Sequence, residues 1–193
     1  AMNAEFGLDY WSNRINAWED FPDVRGTING SLGAEFEKFQ RTLVDDFLGW
    51  QSGIVKEYKR DDQFVTHNFD FEWRGYSFGV QPNVNHHHAS RSLTIVGVDI
   101  YHPTQDDLTG MEIAFGGDMV RSLKQDNYLV LETEAQGFPG WLPYKGQLRL
   151  QAYSHIASGA NSVMYWHWHS LHNARETYWK GLLSHDFQEN DIY

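Results

Sequence analysis

The feature that most restricts what this chain can fold into is a rhythm. Four strand-like runs, QFVTHNF (63 to 69), LTIVGVDIY (93 to 101), NYLVLE (127 to 132) and NSVMYWHW (161 to 168), begin roughly 30 to 35 residues apart, the length of a βα unit. Helical patterns surround them. Phe36, Phe39, Leu43, Phe47, Trp50, Ile54 and Tyr58 recur at three- or four-residue spacing, an apolar stripe on an otherwise polar helix. Further helices are predicted from Leu108 to Lys124, started by Thr109 or Asp107, from Tyr144 to Ser158, ended by Gly159, and from Arg175 to Leu183. The stretch 70 to 92 reads as a long, partly structured loop. Strands alternating with helices give a parallel sheet with right-handed crossovers, and in such folds the chemistry gathers at the strand C-termini. A closed α/β barrel needs eight strands and roughly 250 residues. Four strands in 193 residues therefore predict half of a (β/α)8 TIM barrel, a partial catalytic domain over residues 1–193 with the first half absent.

The predicted strand ends carry His67 and Asn68, then Asp99, Tyr101 and His102, then Glu132 and Glu134, then Trp166 to His169. Polar and aromatic residues at all four ends are hard to explain as packing. Glu132 closes the run Tyr128, Leu129, Val130, Leu131, whose continuity implies burial, and a buried acid is rarely idle. Cleavage of a glycosidic bond needs a proton donor and a carboxylate on the opposite side of the sugar. Strand alternation puts Glu132 and Glu134 on one face, with Cα atoms roughly 6 to 7 Å apart. Two neighbours on one strand end approach a sugar from the same side, so they do not make the flanking pair. Glu134 is expected to be a supporting residue.

Charge narrows the partners. Twenty-six acids against fifteen bases give a formal charge of −11 with no basic cluster, which argues against nucleic acid and anionic membranes and in favour of neutral substrates. Eight Trp and ten Tyr supply flat apolar faces with polar handles, suited either to a sugar's CH face or to an aromatic core. Cysteine is absent, so thiolate sites are excluded, and His86, His87 and His88 in a row do not have metal-ligand spacing. His167 and His169 share a strand face and suit hydroxyl binding or packing. No apolar run approaches the ~20 residues of a membrane span, and the N-terminus lacks a signal-peptide layout. The chain reads as soluble and cytoplasmic.

The segments FGLDYWSNRINAWEDFP (6 to 22), FLGWQSGIVKEY (47 to 58), VTHNF (65 to 69), VGVDIYHP (96 to 103), YLVLETEAQGFPGW (128 to 141) and IASGANSVMYWHWHS (156 to 170) together resemble the C-terminal part of the catalytic barrel of glycoside hydrolase family 42, the β-galactosidases. The last two segments carry the specificity. The resemblance implies that the four strands are the fifth to eighth of an eight-stranded barrel, followed in the family by trimerisation and small β domains. It also implies that Glu132 is the catalytic nucleophile. Trp141 would line the galactose site, Trp11 and Trp166 would border it, Tyr101 would face it, and Glu176 would bind sugar hydroxyls, with Asn68 beside them. The family's proton donor is a Glu following an Asn at the end of the fourth strand, a position before residue 1. Asn3-Ala4-Glu5 is not that motif, since Glu5 neither follows an Asn directly nor a strand. Many members carry a His three residues after the hydroxyl-binding Glu, where this chain has Trp179. Some members bind zinc through upstream cysteines. No metal and no cofactor is expected here.

The resulting expectation is a retaining β-galactosidase, or part of one, releasing terminal β-D-galactose. Its full-length form would be a homo-trimer. Two other readings compete with it: a non-catalytic sugar-binding or structural half-barrel, and a barrel glycosidase acting on other β-glycosides.

Overall fold

The computed structural model describes residues 1–23, 30–71, 84–137, 142–177 and 179–193, with the backbone alone for residue 11. Its helices and strands run α1 (Met2–Glu5), α2 (Gly30–Tyr58), β1 (Asn68–Asp70), α3 (His86–Ala89), β2 (Gly97–Asp99), α4 (Met111–Lys124), β3 (Tyr128–Glu132), α5 (Gln147–Ala157) and β4 (Ala160–Val163). The four strands form one sheet in the order β1-β2-β3-β4, with every neighbouring pair parallel. This is the parallel α/β arrangement that the rhythm predicts.

The strands are shorter than the apolar runs around them. Val65, Leu93 and Val96 are buried but lie outside strands, and Val65 spends its carbonyl on the backbone N–H groups of Thr94 and Ile95. Buried loop and buried strand look alike in hydrophobicity, so the runs overstate strand length. The core joins one face of the sheet to the helices: Phe69, Val98, Ile100, Tyr128, Val130 and Ala160 pack with Leu48, Leu93 and Val120. A smaller cluster of Leu8, Ile15 and Leu32 holds the N-terminal segment.

Helix α4 has Gly110 at φ 83° as its N-cap, with no side-chain cap, and the Thr109 hydroxyl expected to cap it stands one residue earlier, accepting the Met111 backbone N–H at 3.3 Å. Two helical segments stand apart, and the second corrects an expectation. Helix α2 buries Leu32, Leu48 and Ser52, while most of its aromatic stripe faces outward: Phe47 is 57% exposed, Trp50 62% and Tyr58 82%. The core-facing side of α2 is therefore not its most apolar side. The described residues of 175–183 form no helix. Their backbone is committed elsewhere: the N–H groups of Leu182 and Leu183 donate to the carbonyls of His167 and Trp168, and the Lys180 carbonyl accepts from Gln136. A helix there would break these bonds.

Gly97 shows how tightly the sheet is drawn together below the strand ends. A Cβ on it would lie 2.2 Å from Leu131 Cδ1, 2.6 Å from Thr66 Oγ1 and 2.7 Å from the His67 carbonyl oxygen. Only glycine lets β2 pass this close to both neighbours.

A candidate active site at the strand ends

Register builds the site. Asp70 on β1 pairs with Asp99 on β2, and Asp99 pairs with Glu132 on β3, which sets three acids in a row across the C-terminal end of the sheet. Like charges side by side are unfavourable, so such a row needs compensation. Asn68 supplies part of it. Its Nδ2 donates to Asp99 Oδ1 at 2.9 Å and to Glu132 Oε1 at 3.1 Å. The Tyr101 hydroxyl, just past β2, donates to Glu132 Oε2 at 3.0 Å. Both carboxylate oxygens of Glu132 are thus held, each by a neutral donor from a different strand end.

Electrostatics follow the geometry. Partial burial raises the pKa of Glu132; the Tyr101 hydrogen bond pulls it back, and the negative neighbours Glu176 and Asp70 push it up again. Asp99 is pushed up to about 8, first by burial and then by the charge of Glu132. It therefore favours the protonated form near neutral pH. Burial, and then the adjacent Glu132 charge, also raises the pKa of Tyr101, so its hydroxyl remains a donor.

These groups open onto a cleft of about 290 Å³ lined by Asn68, Asp70, Asp99, Tyr101, Glu132, Trp166, Glu176 and Trp179. The indole Nε1 of Trp166 donates to Glu176 Oε2 at 3.0 Å, and His167 Nε2 stands 3.8 Å from the same oxygen. Trp179 is buried, lies edge-on to Tyr101 with ring centroids 6.3 Å apart, and donates Nε1 to the Trp166 carbonyl at 2.9 Å. The arrangement offers a held carboxylate, further acids able to accept hydroxyl hydrogen bonds, and indole faces.

Five of the residues singled out from sequence meet in this cleft: Asn68, Tyr101, Glu132, Trp166 and Glu176. Trp141 lies outside the described residues. Trp11 belongs to the 3-10 turn Tyr10–Ser12, and its side chain is likewise outside the description. His169 points elsewhere, with Nδ1 at 2.7 Å from the Ser170 carbonyl and its ring against Phe187 and His172. His86, His87 and His88 form α3, and no group of three or more His, Asp or Glu among the described residues is arranged to hold a metal. Asp70 and Trp179 line the cleft without having been singled out as site residues, and Asp99 stands out in the sequence only as one of the strand-end residues. Period-two alternation from Asn68 reaches Asp70, which is the signal that was available for it.

Glu134 behaves differently from Glu132. Strand β3 ends at Glu132, and Glu134 is fully buried behind the cleft. It accepts the His102 backbone N–H at 3.2 Å on Oε1 and 3.4 Å on Oε2, the His102 Nδ1–H at 2.5 Å, and the Thr133 hydroxyl at 3.0 Å. Burial disfavours a charged His102, but the Glu134 charge and hydrogen bond outweigh it, so its pKa is raised.

A parallel α/β sheet bearing a row of carboxylates and an indole-lined cleft at its C-terminal edge defines the class as a parallel α/β protein with an acidic strand-end cleft. The chain belongs to glycoside hydrolase family 42, described as β-galactosidase, which it matches over residues 1–193. It is 27% identical to the β-galactosidase BgaA of Clostridium cellulovorans over 95% of this chain and 28% of that protein. It is 24% identical to the β-galactosidase LacZ of Heyndrickxia coagulans over 97% of this chain and 28% of that protein. Among solved structures, the polyextremophilic β-galactosidase of Halorubrum lacusprofundi superposes with a TM-score of 0.81 at 22% identity, covering 99% of this chain and 30% of the other. That of the psychrophilic Marinomonas ef1 gives 0.77 at 21% identity, covering 99% and 31%. The chain thus spans less than a third of the length of these relatives. No helix among the described residues is long and apolar enough to cross a membrane.

Proposed function

We propose that this chain is the nucleophile-bearing part of a retaining β-galactosidase, and that β1 to β4 are the fifth to eighth strands of a (β/α)8 barrel. The observation that carries this reading is Glu132: a half-buried carboxylate at a strand end, gripped on one oxygen by Asn68 and on the other by Tyr101, facing a cleft of acids and indoles. In the proposed reaction a Glu132 oxygen attacks the anomeric carbon of a terminal β-galactoside while the leaving oxygen takes a proton from an acid/base outside this chain. Water then cleaves the covalent galactosyl ester, giving its proton to the same base, with overall retention. Trp166, Trp141 and Trp11 would stack on the sugar, and Glu176 would accept its hydroxyls. Asn68 takes on the further task of orienting the nucleophile.

The test is Glu132→Gln in a full-length context, assayed on an aryl β-galactoside. Turnover should fall by orders of magnitude, and Glu132→Ala should regain turnover with azide, releasing the α-galactosyl azide expected when a small anion replaces the missing nucleophile. Unchanged turnover in Glu132→Gln overturns the assignment. A panel of aryl β-glucosides and arabinosides alongside the galactoside separates this substrate from those of other barrel glycosidases.

A further inference from the structure

Tyr101 can reach Glu132 only if the segment after β2 is fixed, and the structure shows what fixes it. The next residue, His102, is seized twice by Glu134: through its backbone N–H, shared between both carboxylate oxygens, and through its imidazole Nδ1–H. Glu134 is itself anchored to the neighbouring strand end. It forms a parallel bridge with Trp166, whose backbone N–H donates to the Thr133 carbonyl at 2.8 Å, while the Thr133 N–H donates to the Met164 carbonyl at 3.1 Å. One fully buried residue therefore joins the three strand ends immediately behind the cleft, its carboxylate holding the segment after β2 and its backbone pairing with the segment after β4.

We propose that Glu134 is a positioning residue for Glu132: by holding His102 it places the Tyr101 hydroxyl on the Glu132 oxygen, and so sets the orientation and charge state of the nucleophile. The proposal rests on the reading of Glu132 as nucleophile. The groups that face Glu132 are Asp70 on β1, Asp99 on β2, Tyr101 beyond it and Glu176 beyond β4. Those that face the Glu134–His102 pair are Glu112 on α4, His155 on α5, Tyr101 beyond β2 and Tyr165 beyond β4. Of these titratable groups Tyr101 donates a hydrogen bond to Glu132, whose other oxygen Asn68 holds, and Tyr101 is covalently next to the residue Glu134 holds.

The experiment compares pH profiles of kcat/KM on an aryl β-galactoside for Glu134→Gln, Tyr101→Phe, the double variant and His102→Gln, all in the full-length protein. A hydrogen bond to an ionised carboxylate lowers its pKa, so losing the Tyr101 donor moves the acidic limb upward. Glu134→Gln should lose activity on the order of 100-fold, as a displaced catalytic group does. Its acidic limb should move upward as in Tyr101→Phe, and the double variant should fall no further than the worse single one. His102→Gln keeps the backbone donor and loses the imidazole, so it should show a smaller loss with the same upward shift. It keeps the test decisive if Glu134→Gln does not fold. An acidic limb that stays at its original position in a folded variant, or losses that multiply in the double variant, would overturn the proposal and leave Glu134 a folding residue. Full turnover in Glu132→Gln would instead sink the nucleophile reading, a result the Glu134 variants cannot produce.

Discussion

Glu132 and Glu134 are separated by one threonine, yet they stand in opposite situations. Glu132 ends a strand in a row of acids, is held by two neutral donors, and opens onto a cleft. Glu134 is fully buried and paired with a histidine whose pKa it raises. The first site keeps acids close together, which opposes folding, whereas the second sets an acid against a histidine and satisfies its oxygens with four hydrogen-bond contacts from two residues. The difference illustrates how one strand end divides its tasks. On the proposed reading, the half-buried acid carries unfavourable electrostatics in exchange for reactivity, and the buried acid supplies the rigidity that such an arrangement requires.

The contrast is broken most severely at Glu132. Glu132→Gln should remove turnover by orders of magnitude without lowering the melting temperature, because burial, Asp70 and Glu176 already disfavour its charge. A large drop in melting temperature would show that Glu132 is structural. Glu134→Gln should do the reverse in stability, costing about 3 kcal/mol in chemical denaturation, since it replaces a fully buried acceptor of both the His102 backbone N–H and its imidazole N–H. A variant as stable as the parent would remove the contrast between the two acids.

A substitution between the two sites sharpens the comparison. Gly97→Ala places a methyl group against Leu131, Thr66 and the His67 carbonyl, and the backbone contact cannot move aside cheaply. The expected cost is about 2 kcal/mol of stability. Because β2 carries Asp99 and leads to Tyr101, activity should also fall. Stability lost with the pH profile of kcat/KM unchanged would show that the strand ends tolerate a shift in β2.

These sites were unequally legible in the sequence. The parallel order of strands and the acid closing YLVLE follow from local periodicity, and so did Glu132 as the leading candidate. Glu134 was legible only as a supporting residue, because its partner His102 lies thirty-two positions away and their meeting depends on strand register. Register likewise aligns Asp70, Asp99 and Glu132. The predicted helix at 175–183 failed because its backbone pairs with the segment 167–170, a tertiary demand that overrides local pattern. Trp179 drew notice as a departure from the family's His. Its role in bracing Trp166 and Tyr101 emerges only from the packing.

The smallest effect is a pH dependence, and it distinguishes the two histidines behind the cleft. His155 on α5 is fully buried beside His102, with ring centroids 5.9 Å apart. Burial, and then the His102 charge, holds its pKa down to about 3. Folded His155 is neutral while the unfolded chain takes up a proton below the ordinary histidine value of about 6.5, so its contribution weakens stability as pH falls from there toward about 3. His102 has the opposite sign. Its raised folded pKa gives stability that is fully present below about 6.5 and is lost as pH rises through the folded value. Together they favour a stability maximum near the ordinary histidine pKa, each side sloping by at most about 1.4 kcal/mol per pH unit. In denaturation measured across pH, His155→Gln should flatten the acid side relative to the parent and leave the alkaline side unchanged. His102→Gln should flatten the alkaline side. If His155→Gln altered the alkaline side instead, the buried proton would belong to His155, and Glu134 would have lost its charged partner.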